Sequence, residues 1–198
     1  MNKAVFVDRD GTLNEMVYDK THGIFDSPRK PDEVRLMPKA ADFLKTIKKS
    51  GYLVIVVTNQ PAIAKETLLL KALQAVNERL ASLLAAEGTG WDNLRFCPHF
   101  PGPVAGKNEY TIECDCRKPK PGMLLAAARE FNIDLPASWM VGDGLNDVQA
   151  GKAAGCRSIL VTKLKMEQVE RFFSLENCQP DAIAHDLKQA AEIIQAGK

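Results

Sequence analysis

The sequence lacks any surplus of charge and any long apolar run. Its 198 residues carry 26 Lys and Arg against 25 Asp and Glu, which gives a formal net charge of +1. Nucleic-acid-binding proteins usually concentrate positive charge on one face, and a membrane span needs about 20 consecutive apolar residues. At the N-terminus only Ala4–Val7 are apolar in succession before an acidic cluster. We therefore expect neither a nucleic-acid partner, nor a membrane span, nor a signal peptide.

Histidine and cysteine are scarce and unevenly placed. The chain has 3 His and 5 Cys, with no internal repeat and no low-complexity segment. Without a leader we expect a cytoplasmic protein, and there disulfides are rare and clustered cysteines more often bind metal or serve catalysis. Three of the cysteines and one histidine fall in a single stretch, 97–116. Cys156 and Cys178 lie far from it and are predicted to be structural, since a free cysteine behaves as a small apolar residue.

Short apolar runs alternate with helical patterns along the whole chain. Such alternation predicts βαβ units and a mostly parallel sheet covered by helices on both faces. The fold class is therefore α/β, a Rossmann-like three-layer sandwich, with residues 1–198 as a single domain. The predicted strands are 3–7, 52–59, 93–97, 138–143 and 157–162, and the predicted helices are 39–51, 65–88, 122–131, 146–154 and 182–196.

Polar side chains follow several of the predicted strands. Asp8 and Asp10 come after the first, Thr58 and Asn59 end the second, and Asp143 closes a later one. In open α/β sheets, ligands bind in the crevice outside the carboxyl ends of the strands. The order of the elements therefore predicts an active site at this edge of the sheet.

The two carboxylates of "VDRDGTLN" suit a magnesium ion. Mg²⁺ usually takes one or two carboxylates together with substrate phosphate and water. In that setting Asp8 could attack phosphorus and form an aspartyl phosphate. Asp10 could protonate the leaving oxygen and then activate water. The competing interpretation of this motif alone is an acidic surface turn.

Two further segments add the groups that phosphate chemistry requires. "RKPKPG" supplies Lys118 as a point charge for a phosphoryl group and Arg117 as a fork for a second anion. "VGDGLND" supplies Asp143 and Asp147. Asp147 stands where it could cap the helix that follows.

Together these segments resemble a known superfamily. "DRDGT", "TNQ", "RKPKPGM" and "GDGLNDVQAG" are similar, in this order, to the four motifs of the haloacid dehalogenase-like hydrolases, from residue 8 to about 155. The resemblance implies a phosphatase that uses Mg²⁺. It implies these roles: catalysis by Asp8 and Asp10, phosphoryl stabilisation by Thr58 and Lys118, substrate binding by Asn59, Gln60 and Arg117, and Mg²⁺ binding by Asp8, Asp143 and the backbone carbonyl of Asp10. It also implies that Asp147 supports the metal's water shell, and the alternative is a helix cap alone.

The stretch 97–116 has the ligand types of a zinc site. Cys97, His99, Cys114 and Cys116 would close a tetrahedral Zn²⁺ site with no open position, and such a zinc is structural. The alternatives are chance clustering and a redox pair, although Cys-x-Cys is not the usual redox spacing. Because Arg117 and Lys118 follow the last ligand directly, the zinc would hold them at the crevice.

A zinc-clipped loop leading into "CRKPKPGM" narrows the resemblance. It is similar to the cap-less branch that contains the D-glycero-D-manno-heptose 1,7-bisphosphate 7-phosphatases and the histidinol-phosphate phosphatases. That branch implies a small phosphorylated substrate, with Arg117 contacting it beyond the transferred phosphate. In the long segment 15–38, Arg29 and Lys30 either reach a distal phosphate or lie in a solvated loop; His22 is given no role.

Three other function classes fit the sequence less well. A zinc-containing nucleic-acid module conflicts with the near-zero net charge. A phosphotransferase that excludes water would favour a dedicated cap domain, and no segment is large enough. A catalytically dead scaffold conflicts with the presence of a residue at every catalytic position. A hydrolase acting as a monomer is the expectation.

Overall fold

A six-stranded, wholly parallel sheet forms the centre of the molecule. The computed structural model describes residues 1–20, 23–102 and 108–197. The strands of the sheet are β1 (Lys3–Val7), β4 (Tyr52–Asn59), β5 (Asn93–Cys97), β6 (Trp139–Gly142), β7 (Arg157–Val161) and β8 (Ala182–Ala184). The strand order across the sheet is β5-β4-β1-β6-β7-β8, and every neighbouring pair is parallel. The α/β prediction is confirmed.

The sheet is buried on both faces because its central strands are apolar along most of their length. In β1, Val5 and Val7 point to one face, whereas Ala4 and Phe6 point to the other, and all four are completely buried. Successive side chains of a strand alternate in this way. Two hydrophobic cores result, one above the sheet and one below, which confirms the three-layer arrangement.

Helices cover each face. Those on the Val5 side are α1 (Ala40–Lys49), α2 (Leu70–Ala86) and α6 (Leu187–Ala196). Those on the Phe6 side are α3 (Gly122–Phe131) and α4 (Leu145–Ala154), while α5 (Met166–Glu176) packs beside β7 in a smaller cluster. Among the described helices, none has the length and apolar character needed to cross a membrane.

The chain between β1 and α1 is elaborated only slightly. It contains a two-stranded hairpin, β2 (Val17–Asp19) and β3 (Ile24–Asp26), followed by a short 3-10 helix at Pro31–Glu33. In the part of the chain that the structure describes, no inserted segment forms a separate cap domain, as the sequence predicted. The crevice at the strand ends is therefore bordered by loops.

Two predicted helices were wrong at their starts, and one helix was missed. The helix predicted at 65–88 begins only at Leu70, because Glu66 adopts a left-handed backbone conformation that ends any regular turn there. The helix predicted at 182–196 is strand β8 followed by α6, which is capped by the Asp186 side chain accepting the Gln189 N–H. Helix α5 was not predicted at all.

Candidate active site

Three carboxylates converge at the carboxyl ends of the central strands. Asp8 follows β1, Asp143 follows β6, and Asp147 lies in the first turn of α4. One carboxylate oxygen from each lies within 4.8 Å of the others. Strands β1 and β6 are adjacent and parallel, so residues that follow them emerge at the same edge. The structure therefore brings these polar side chains together at the predicted edge of the sheet.

The Lys118 side chain contacts two of these three carboxylates. Its Nζ lies 2.7 Å from Asp8 Oδ1, 2.6 Å from Asp147 Oδ1 and 2.8 Å from the Val57 carbonyl oxygen. The side chain is only 3% exposed. Burial would lower the pKa of Lys118, but the charges of Asp147 and Asp8 outweigh it and raise the pKa. The residue is therefore a permanently charged ammonium held against Asp8.

One ammonium does not neutralise three carboxylates. Burial, opposed by Lys118, raises the pKa of Asp8 to about 7. Desolvation together with the charge of Asp8 raises the pKa of Asp143 to about 6. Such shifts mark a site in which negative charge is under-compensated. A hard divalent cation with oxygen ligands, such as Mg²⁺, fits this donor set.

Gly11 makes room for this arrangement. It has φ +83, and a Cβ at this position would lie 2.3 Å from Asp143 Oδ2. Only glycine tolerates both the backbone conformation and the close approach. The Thr12 hydroxyl donates to Asp143 Oδ1 at 3.2 Å, so the turn after β1 both admits and orients the Asp143 carboxylate.

Asp10 is directed to a different set of partners. Its carboxylate accepts a forked contact from Arg9, with Nε and Nη2 at 2.9–3.0 Å, and single bonds from Asn14 Nδ2 at 3.0 Å and Gln60 Nε2 at 2.8 Å. Burial would raise the pKa of Asp10, but the Arg9 charge and these hydrogen bonds lower it overall. In this arrangement Asp10 is an ionised base.

Arg9 is the functional neighbour that the sequence analysis missed. It is fully buried, and its Nη1 donates to Asn77 Oδ1 on α2 at 2.7 Å. The sequence signal is the position of Arg9 between two aspartates. Because a buried arginine is almost always paired with an acid, either aspartate could have been its partner.

The side chains of the "TNQ" segment, residues 58–60, contact Lys118 and Asp10. The Asn59 side-chain amide makes two hydrogen bonds to the backbone of Lys118. It donates to the Lys118 carbonyl at 2.9 Å and accepts from the Lys118 N–H at 3.0 Å. Gln60 donates to Asp10 and to the Thr58 hydroxyl, which is buried and lies 3.5 Å from Asp10 Oδ2. These contacts fix Lys118 and Asp10 in place. Substrate binding by Asn59 and Gln60 stays a prediction.

Asp147 caps α4 and also contacts Lys118, while support of a metal's water shell stays a prediction. Its Oδ2 accepts the Gly144 N–H at 3.1 Å, which caps α4, while its Oδ1 pairs with Lys118. Burial raises the pKa of Asp147 despite the nearby ammonium. Asp147 is thus a helix cap that also belongs to the charged cluster.

The four predicted zinc ligands form a compact group. Cys97, His99, Cys114 and Cys116 bring their Sγ and Nδ1 atoms to separations of 3.2–3.6 Å. A tetrahedral zinc with Zn–S near 2.3 Å and Zn–N near 2.0 Å requires ligand separations of roughly 3.5 Å. All the cysteines are free thiols. The donor set and spacing fit a metal with soft ligands and no vacant position.

This Cys/His cluster is linked directly to Lys118. Cys97 ends β5, and its carbonyl accepts the Gln60 N–H at 2.7 Å. At the other end, Arg117 Nη1 donates to the His99 carbonyl at 3.2 Å, and Lys118 follows. Residues 103–107 of the predicted zinc loop lie outside the described residues. The described parts show the cluster joining the end of β5 to Lys118.

In the long segment 15–38, the side chain of Arg29 is engaged in a local ion pair. Arg29 pairs with Asp26 at 2.7 Å, and the backbone N–H groups of Arg29 and Lys30 donate to Glu33. These local contacts favour the solvated-loop interpretation over a reach toward substrate. His22 lies outside the described residues.

Comparison with known proteins identifies the family. The family model described as haloacid dehalogenase-like hydrolase matches residues 13–152, and a related model, HAD-hydrolase-like, matches residues 115–190. The D-glycero-beta-D-manno-heptose-1,7-bisphosphate 7-phosphatase of Pasteurella multocida is 40% identical over 82% of this chain and 83% of its own length. The protein of that name from Escherichia coli K12 is 39% identical over 76% of this chain and 74% of its own.

A solved structure shows the same fold. The D,D-heptose 1,7-bisphosphate phosphatase of B. bronchiseptica, solved with magnesium and phosphate, aligns over 99% of both chains with a TM-score of 0.77 and 28% identity. The matched model covers more than half of the chain, and it includes Thr58, Lys118 and Asp143. The resemblance drawn from the four motifs is confirmed: the chain belongs to the haloacid dehalogenase-like hydrolases.

Proposed function

We propose that the protein is a magnesium-dependent phosphomonoesterase that removes the 7-phosphate of D-glycero-β-D-manno-heptose 1,7-bisphosphate. The observation that carries the proposal is the cluster in which Lys118 joins Asp8 to Asp147 beside Asp143. Such a cluster can bind a phosphate monoester and attack it. The choice of sugar and anomer is supported by the names of the relatives that share about 40% identity over most of the chain.

In the first half-reaction Asp8 attacks the phosphorus of the 7-phosphate. An oxygen of the Asp8 carboxylate forms a bond to phosphorus as the bond to the sugar oxygen breaks, which leaves an aspartyl phosphate. The Lys118 ammonium, 2.7 Å from Asp8 Oδ1, stabilises the charge on the phosphoryl oxygens. The buried Thr58 hydroxyl is a second donor at the strand end. Positioning and electrostatic stabilisation supply most of the acceleration.

Asp10 moves the protons. In the arrangement described above it is ionised and suited to take a proton from the water that cleaves the aspartyl phosphate. In the first half-reaction the leaving sugar oxygen needs a proton. Asp10 can supply it only as the protonated acid and after turning away from the Arg9 fork. The first half-reaction therefore requires the Asp10 carboxyl to leave the Arg9 guanidinium and to contact the leaving sugar oxygen.

The metal would be held by Asp8, Asp143 and the backbone carbonyl of Asp10. Mg²⁺ bound there supplies positive charge that offsets the substrate phosphate and the Asp8 carboxylate. The second metal, a structural Zn²⁺ on the four-residue Cys/His cluster, would fix the segment that ends at Lys118.

Magnesium binding is expected to depend on pH. Asp8 and Asp143 have pKa values of about 7 and about 6 without metal, and Mg²⁺ binds only the ionised forms. Metal must therefore displace protons as the pH falls through this window, so affinity should drop about tenfold or more between about pH 7.5 and pH 5.5. Isothermal titration calorimetry in two buffers of different ionisation enthalpy would count the protons released. An affinity that stays constant over this range, with no proton release, would contradict the assignment.

Phosphate release from a substrate panel tests the proposed function. With Mg²⁺ present, the β-anomer of D-glycero-D-manno-heptose 1,7-bisphosphate is expected to be hydrolysed with a kcat/KM at least about tenfold above that of the α-anomer, fructose 1,6-bisphosphate or histidinol phosphate. A preference for histidinol phosphate would move the protein to the other activity of its branch. Absence of hydrolysis of every monoester would refute the phosphatase.

A further inference from the structure

A buried arginine joins the Asp10 carboxylate to helix α2. The Arg9 side chain is completely buried, and among the described residues its guanidinium bonds to two side chains. Its Nε and Nη2 donate to the Asp10 carboxylate at 2.9–3.0 Å, and its Nη1 donates to Asn77 Oδ1 at 2.7 Å. Asp10 therefore supplies the counter-charge, and a neutral amide 68 residues further along the chain takes the remaining contact.

Asn77 stands on a well-packed helix. On α2, Leu73, Val76 and Leu80 recur at helical spacing, and all three are buried in apolar clusters. Asn77 follows Val76 directly and is half-buried, so its amide lies at the border of this apolar stripe. The acceptor for Arg9 Nη1 is thus fixed by the packing of α2 and not by the loop after β1.

The proposed reaction uses the Asp10 carboxyl in two positions. In the first half-reaction it contacts the leaving sugar oxygen and is separated from Arg9. In the second, a water oxygen bonds to phosphorus, the bond from phosphorus to the Asp8 oxygen breaks, and Asp10 takes the proton that the water loses. The forked contact with Arg9 holds the Asp10 carboxylate in place for this second step.

The separation of Asp10 from Arg9 leaves a buried cation without its counter-charge. A buried, unpaired guanidinium is strongly unfavourable, so its charge draws the Asp10 carboxylate back after the sugar has left. This return requires that the guanidinium itself does not move with Asp10. The hydrogen bond to Asn77 opposes such a movement, because it would have to break.

We propose that Asn77, acting through Arg9, is a positioning residue for the second half-reaction, the hydrolysis of the aspartyl phosphate. It keeps the guanidinium in place, and the Asp10 carboxylate returns to the position from which it takes a proton from water. This inference rests on the proposed phosphatase activity but not on the identity of the sugar. Asn77 lies outside the four motifs of the sequence analysis.

Substitution of Asn77 tests the inference. Asn77→Leu and Asn77→Ala remove the acceptor, one at similar volume and one without added apolar bulk, whereas Asn77→Asp keeps an acceptor oxygen. The substrate is the monoester that the unsubstituted protein hydrolyses fastest, with a radioactive label in the transferred phosphate. Rapid mixing followed by acid quenching measures the formation rate and the decay rate of the aspartyl phosphate separately.

The two rates are expected to respond differently. In Asn77→Leu and Asn77→Ala the decay rate should fall about 10-fold, because a hydrogen bond to a charged group is lost, and the formation rate should stay within about twofold. The aspartyl phosphate then accumulates, so kcat and KM fall together while kcat/KM is retained. Asn77→Asp should recover most of the decay rate. A merely structural defect would instead lower the labelled amplitude and leave both rates unchanged.

Gln74→Leu is the matched control. Gln74 is an exposed residue one turn earlier on α2, and its Nε2 donates to Glu78 Oε1 at 2.8 Å. Its substitution is expected to leave both rates unchanged. An unchanged decay rate in the two acceptor-free variants, or a loss confined to the formation rate, would overturn the inference while the phosphatase stands. If the unsubstituted protein releases phosphate from no monoester, the proposed function is wrong and the inference falls with it.

Discussion

Asp8→Asn is expected to abolish phosphate release, lowering kcat by at least about 10⁴-fold. The amide cannot form the acyl phosphate, and its nitrogen cannot accept the Lys118 contact that Asp8 Oδ1 makes at 2.7 Å. The substitution also removes one of three converging carboxylates. Because the pKa of Asp8 is raised to about 7, the charged form is destabilised in the fold. The variant should therefore be no less stable than the original protein in the absence of metal.

Loss of activity without loss of stability is the signature to measure. Steady-state phosphate release would be followed beside thermal unfolding, with acid-quenched labelling from a radioactive phosphate monoester to detect the aspartyl phosphate. Asp42→Asn serves as the control, since its side chain is 80% exposed on α1 and far from the strand ends in sequence. An Asp8→Asn protein that retains more than about a hundredth of the activity would show that another group attacks phosphorus.

The fold could be predicted because the two central strands contain unbroken apolar runs. Residues 4–7 and 52–57 are apolar and almost all buried, and such runs occur in parallel sheets covered by helices. The order of the motifs then placed Asp8, Thr58 and Asp143 at one edge, since parallel strands end together. Both conclusions depend on local pattern and connectivity, which the sequence contains.

The direction of individual side chains could not be predicted. Asp10 was expected beside Asp8, yet Arg9 holds its carboxylate in a forked contact that also reaches Asn77 on α2, 68 residues away. That partnership depends on tertiary packing of α2 against the turn after β1. Spacing along the chain carries no information about it.

Local backbone conformation explains the boundary errors. Residues 65–69 have the composition of a helix, but Asn108 of a distant loop binds the Ala64 carbonyl and the Glu66 side chain. Those contacts accompany the left-handed conformation of Glu66. Tertiary hydrogen bonds therefore override helix propensity at residues 65–69.

Removal of one cysteine of the Cys/His cluster is expected to affect both stability and catalysis. In Cys116→Ala, zinc should be absent from the purified protein. The two ends of the segment between β5 and Lys118 should then no longer be joined through a metal. Closing a loop of about this length contributes about 3 kcal/mol, which corresponds to a melting temperature lower by roughly 10 °C. Since Arg117 and Lys118 follow Cys116 directly, displacement of Lys118 by about 1 Å should reduce kcat about 100-fold.

Cys178→Ala distinguishes a metal effect from the general cost of losing a thiol. Cys178 is buried at 8% exposure in the small cluster beside α5, outside the Cys/His group. This variant should keep its zinc and its kcat, and it should lose only the modest stability of a truncated core side chain. Zinc content by atomic emission, melting temperature and kcat would be measured for both variants. If Cys116→Ala retained kcat despite losing the metal, the protein contacts of Lys118 would suffice to hold it, among them the Asn59 amide, which binds both its N–H and its carbonyl. The zinc would then stabilise the loop without positioning the catalytic lysine, which would contradict the coupling proposed between the two sites.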